Sequence, residues 1–182
     1  MAHIHLSIDA PGIIGLMLNH PETAAPLNAL ANSLLVKDKG ISRFERELIA
    51  AYVSRNNECK FCHRSHRAFA EALAVPEELK LAQILFDNNE PTDISNLSPK
   101  MQALMQIAEQ VRKDAKGVSR EMIQKARDTG ADEETIHDTV LIAAAFCMFN
   151  RYVDGLGTFA PEWGDETYHH SAERVASSGY SV

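Results

Sequence analysis

Cysteine is scarce: three in 182 residues. That rules out a scaffold stapled by several disulfides. No run of about 18 apolar residues occurs, so a membrane-spanning helix is not expected. Basic charge is also short, with 18 Lys and Arg against 25 Asp and Glu and a net charge of −7. Without a basic block, a nucleic-acid partner is not expected. Val, Ile and Thr rarely fall in alternating runs, and no Asn-Gly or Asp-Gly dipeptide lies between two such runs, so β-hairpins are not expected. Met1 to Ala10 lacks a basic region followed by a long apolar stretch, so no signal peptide is expected and the cytoplasm is the expected compartment.

What is present is the composition of a soluble globular protein, 45% apolar and 24% charged. The length suits one sizeable domain. The pattern is helical nearly throughout and predicts an all-α compact bundle of about seven helices. The first helix is expected over 23–36, where Leu27, Leu30, Ala31, Leu34 and Leu35 recur at helical spacing. Ser42 and Glu45 form a capping-box pattern that opens the second. Asn56-Asn57 favours a turn, and the third runs from about Glu58 to Leu73. Pro76 suits the first turn of a fourth helix ending near Phe86. A polar loop is expected over 87–97. Ser98-Pro99, Ser119 and Asp132 then cap a fifth, sixth and seventh helix.

Residues 1–22 read as an irregular lead-in, 23–160 as the helical domain and 161–182 as a polar tail. Ala74–Glu78 and Ala131–Glu134 each join two amphipathic segments, which suggests a duplicated helical hairpin. Ala143 to Phe149 is apolar enough to be buried on most sides, and exceeds what one small-domain helix usually needs.

The most informative string is Cys59-Lys60-Phe61-Cys62-His63-Arg64-Ser65-His66, preceded by Glu47. In a chain expected to be cytoplasmic, a Cys-x-x-Cys pair is expected to be redox-active or metal-binding. On a helical wheel Cys62 falls about 300° and His66 about 340° from Cys59, one narrow face. Two thiols so placed can form a reversible disulfide, and a nearby base and carboxylate can set how much thiolate is present. The helix dipole is expected to lower the pKa of Cys59. A tight turn would fold Glu47 back toward the thiols. His63 is expected to face solvent, His137 to lie on an exposed acidic face, and Cys147 to be an inert buried thiol. His3, His5, His169 and His170 are read as incidental.

Other chemistries fit the same string. Cys59 and Cys62 with His63 or His66 offer zinc ligands, although structural zinc sites usually draw on two separated knuckles. Cys59-Lys60-Phe61-Cys62-His63 also matches a c-type haem attachment string, which normally requires export.

Glu47, Cys59, Cys62 and His66, with Arg46-Glu47-Leu48 and Asn57 ahead of the pair, resemble the AhpD-like alkylhydroperoxidase family of the carboxymuconolactone decarboxylase superfamily. Ala126–Glu134 resembles that superfamily's helix-turn-helix, and Phe149-Asn150-Arg151-Tyr152 its closing helix. The resemblance spans roughly 25–157. It implies an all-α homo-oligomer with peroxidase activity toward hydrogen peroxide or organic hydroperoxides, no cofactor or metal, and an external dithiol reductant. By the same resemblance Cys62 is the peroxidatic thiol, Cys59 resolves it, and His66 and Glu47 form a proton relay. Phe61 departs from the pattern, since well-known members carry a histidine there. Two other functions stay open: a disulfide reductase or redox sensor with the same thiols, and a structural zinc module.

Overall fold

The computed structural model describes residues 2–37, 39–87 and 92–181. Its described residues form nine α-helices and no strand. In chain order these are α1 (Gly12–Asn19), α2 (Pro21–Leu35), α3 (Arg43–Asn56), α4 (Lys60–Leu73), α5 (Pro76–Asp87), α6 (Pro99–Asp114), α7 (Arg120–Asp128), α8 (Glu133–Gly155) and α9 (Glu166–Ser178). A short 3₁₀ turn, Ala115–Gly117, follows α6. None of these helices is long and apolar enough to cross a membrane. Of the polar loop expected over 87–97, residues 88–91 lie outside the described residues.

The seven expected helices are α2 to α8, and their starts follow the capping chemistry of the sequence. Ser42 Oγ accepts from Glu45 N at 3.2 Å, and Glu45 Oε2 accepts from Ser42 N at 2.8 Å, completing the capping box of α3. Ser98, Ser119 and Asp132 each accept a backbone N–H of the first turn they cap.

The two additional helices lie at the ends. Gly12–Asn19 is helical where an irregular lead-in was expected, because Ile13, Ile14, Leu16 and Met17 give a short two-turn helix something to bury. The region read as a polar tail contains α9. Asp165 caps it, Tyr168, Ala172 and Val175 form one buried stripe, and Gly179 stops it.

The helix buried on most sides is α3, not α8. From Leu48 to Val53 every side chain of α3 is buried, packed by α2, α4, α6 and α8. On α8, Ala143, Phe146 and Phe149 face inward, while Leu141, Ala144 and Met148 line an exposed outer stripe. Cys147 is half-buried rather than buried.

An ionic anchor fixes α3 in this position. Arg46 is fully buried. It donates to the carbonyls of Leu34 at 2.8 Å, Lys39 at 2.7 Å and Ile41 at 3.3 Å, and to Asp138 Oδ2 at 2.9 Å. One guanidinium thus ties the end of α2 and the following loop to α8.

Candidate active site

The α3–α4 connection sets the geometry of the thiols. Glu58 N donates to Arg55 O at 2.8 Å and Cys59 N to Ser54 O at 3.0 Å, the paired bonds of a Schellman motif. Glu58 occupies its left-handed position with φ of 61°, the one non-glycine described residue with positive φ. The chain therefore reverses within three residues, and α4 runs back along α3. Asn57 and Asn150 seal the corner, with Asn57 Nδ2 donating to Asn150 Oδ1 at 2.8 Å and Asn150 Nδ2 to Ser54 Oγ at 3.0 Å.

Cys59 becomes the N-cap of α4, and Cys62 and His66 follow at successive turns. Both thiols are free and buried, with Cys59 0% and Cys62 4% exposed. The hydrogen bond that Cys59 shares with Cys62, together with burial, pushes the Cys59 thiol far above its usual value. The expected dipole effect on Cys59 is therefore outweighed. Cys59 keeps its proton and can direct it at the Cys62 sulfur.

Glu47 reaches the same centre from α3 and is 1% exposed. His66 Nδ1 donates to Glu47 Oε2 at 2.6 Å. The His66 ring is held edge-on by Phe146 and Phe69, with centroid distances of 4.5 and 5.1 Å. With Nδ1 committed to the carboxylate, Nε2 is the nitrogen left for chemistry. Cys62 and His66 both line one cavity, whose walls are chiefly apolar, among them Ile14, Met17, Phe61, Phe69 and Phe149. Phe61 is a wall of this cavity, packed close over Gly12, where a Cβ would come within 2.0 Å of its ring.

Cys59 does not line that cavity. It borders a shallower recess on another side, with Lys60, His63 and Phe86. His63 is half-buried there instead of facing solvent, donating through Nδ1 to Ala51 O at 3.1 Å and packing edge-on against Phe86. Burial lowers its pKa from 6.5 to about 4, against the raising effect of the Ala51 carbonyl and with help from Arg55. A histidine depressed in the fold stabilises it fully above the unfolded value and loses that contribution as pH falls. The protein should therefore lose on the order of 2–3 kcal/mol between about pH 6.5 and 4 from this group. Thermal melts of His63→Leu should lack that part of the wild-type decline; an identical decline in both proteins would contradict it.

Among the described residues, no three His, Cys, Asp or Glu side chains are placed to hold a metal ion. His137 is exposed beside Asp138, as expected. One side chain at this centre was not foreseen. Tyr180, after α9, donates its hydroxyl to Glu47 Oε1 and lies 3.4 Å from His66 Nδ1. The signal available was the stripe of Tyr168, Ala172 and Val175 with its Gly179 stop, which marks a docked helix rather than a loose tail.

Solved structures share this fold. An uncharacterised peroxidase-related protein of Ralstonia eutropha JMP134, with an alkylhydroperoxidase AhpD core, superposes with a TM-score of 0.71 at 24% identity, covering 84% of this chain and 78% of that one. An uncharacterised peroxidase-related protein of Silicibacter sp. TM1040 gives 0.71 at 20% identity, covering 87% and 78%. A protein of unknown function from Agrobacterium tumefaciens, named for the antioxidant defence protein AhpD, gives 0.63 at 22% identity, covering 83% and 99%. Residues 21–110 match the model of the carboxymuconolactone decarboxylase family. About half of the chain thus carries the pattern of that family, on the fold of the AhpD-like structures. No curated protein matches it. The family match covers α2 to α5 and most of α6, and so includes Glu47, both cysteines of the motif and His66. Tyr180 and the whole of α9 lie outside it.

Proposed function

We propose that this protein is a thiol-dependent peroxidase acting through Cys62 and Cys59. The observation that carries the reading is the placement of Cys62 and His66 on one apolar cavity wall, with His66 held from behind by the buried Glu47. The names of the similar solved proteins, peroxidase-related and antioxidant defence, agree with it.

The chemistry balances as follows. His66 takes the Cys62 proton, and the thiolate attacks the outer oxygen of a hydroperoxide. The O–O bond breaks, the leaving alkoxide recovers a proton from His66, and Cys62 becomes a sulfenic acid. The Cys59 sulfur then attacks the Cys62 sulfur, its proton leaves with the hydroxyl as water, and a disulfide forms. An external dithiol reduces the disulfide and is itself oxidised. Glu47 stabilises the imidazolium formed in the first step. The apolar walls favour an organic hydroperoxide over hydrogen peroxide, since an alkyl group gains from leaving water.

The test is consumption of cumene hydroperoxide by the protein with a dithiol reductant, followed over many equivalents. A disulfide reductase or redox sensor would leave the hydroperoxide unconsumed while still cycling its thiols. A zinc module would carry stoichiometric metal after purification under reducing conditions. The same reading expects a homo-oligomer; a light-scattering mass near the 20.1 kDa of one chain would contradict that part.

A further inference from the structure

The segment after α9 crosses the thiol centre as a strap. Asn32 of α2 grips it on both sides, Nδ2 donating to Tyr180 O at 2.7 Å and Oδ1 accepting from Tyr180 N at 2.8 Å. Gly179, with φ of 75°, makes the turn that brings it there, and a Cβ at that position would meet Asn32 Oδ1 at 2.5 Å. Arg43 of α3 holds the end of α9 by donating to Val175 O at 2.9 Å and Ala176 O at 3.1 Å. The Tyr180 ring stacks on His66 with centroids 6.0 Å apart and planes 20° apart.

We propose that Tyr180 is a positioning residue for the thiol centre: its hydroxyl fixes Glu47, and through Glu47 the His66 imidazole, in the orientation that serves Cys62. The inference rests on the peroxidase reading, in which Glu47 and His66 are the relay. Packing alone would be satisfied by phenylalanine. Burying a phenol costs free energy unless its hydroxyl is paired, and here the pair is with a carboxylate. Glu47 has two oxygens to satisfy in a dry site. His66 takes one and Tyr180 the other. Without the phenol, the carboxylate binds a proton or turns toward water, and either change loosens its hold on His66. Burial and the Glu47 charge push the phenol well above its usual pKa, so it stays a donor across the working range.

The charged and titratable groups around the phenol are Glu47 and Arg43 from α3 and His66 from α4. Arg174 of α9 and Cys62 share the cavity wall; α2 contributes Asn32, and α8 contributes Phe146 and Phe149. Loss of the hydroxyl weakens the imidazolium that balances the Cys62 thiolate, so thiolate formation moves to higher pH.

The experiment is the pH profile of Cys62 alkylation by iodoacetamide, read by mass spectrometry, in the full chain and in Tyr180→Phe, Asn32→Ala and Glu47→Gln. Tyr180→Phe should move the midpoint up by about 0.5–1 pH unit, in the same direction as Glu47→Gln, and reduce peroxide turnover roughly three- to tenfold. Its melting temperature should fall by a few degrees, since Glu47 Oε1 loses one partner. Asn32→Ala, which loosens the strap without touching Glu47, should move the midpoint the same way, and it carries the test should Tyr180→Phe fail to fold. A Tyr180→Phe profile superimposed on wild type while Glu47→Gln shifts would overturn the role of Tyr180 and leave the relay standing. A lowered melting temperature with an unmoved profile would overturn it too, reducing Tyr180 to packing. If neither variant moves the profile, the relay itself falls and this inference with it.

Discussion

Cys62→Ser should abolish peroxide consumption, a loss on the order of 10³-fold or more, as expected when a covalent nucleophile is removed. Cys59→Ser should instead allow one turnover and then stall. The difference follows from where the thiols sit. Cys62 lines the apolar cavity beside His66, whereas Cys59 is fully buried and borders a different recess. Only Cys62 can meet a hydroperoxide held in that cavity. Cys59 holds its proton through its hydrogen bond to Cys62 and through burial, which suits a group that attacks second. Stopped-flow measurement of one equivalent of cumene hydroperoxide distinguishes the two variants. A burst in Cys62→Ser and none in Cys59→Ser would reverse the roles.

Arg46→Ala should destabilise the fold by about 3–5 kcal/mol, the usual cost of breaking a buried ion pair from one side. For a chain of this length that lowers the melting temperature by roughly 10 °C. The guanidinium satisfies three backbone carbonyls and Asp138 at once. Burial pushes the Asp138 carboxyl up, but hydrogen bonds from Arg46, His137 and Lys37 outweigh it and hold the carboxyl below its usual range. Lys37, 3.2 Å away, would remain as a partial partner. Because Arg46 precedes Glu47 on α3, the variant should also lose activity, but only in proportion to unfolding. Calorimetry alongside the peroxide assay checks both statements; a melt within 2–3 °C of wild type, or about 1 kcal/mol, would contradict the first.

Much of this arrangement was legible in the sequence because it is local. Caps declare themselves by residue type, so Ser42, Ser98, Ser119 and Asp132 marked four helix starts. The i, i+3 and i+7 spacing of Cys59, Cys62 and His66 put them on one face, and the short turn after Asn56 implied that Glu47 would fold back to them. What was not legible depends on long-range packing. Nothing in the run around His63 says that Phe86 will cover it, so it read as a solvent-facing residue and is half-buried. The dipole argument for Cys59 was sound locally but lost to burial and to Cys62. Tyr180 lies 133 residues from Glu47, and the docking of α9 on α4, with Asn32 and Arg43 holding its end, brings it there. Arg46 stood out only as part of the Arg46-Glu47-Leu48 string, and its burial follows from the carbonyls of Leu34, Lys39 and Ile41 that it satisfies.

The central claim is that Cys62 is the atom that meets the peroxide. It is tested most directly by treating Cys59→Ser with one equivalent of cumene hydroperoxide in the presence of dimedone and mapping the adduct by mass spectrometry. The account predicts dimedone on the Cys62 peptide, and its disappearance when Cys62 is also replaced. An unlabelled Cys62, or label confined to Cys147, would contradict it.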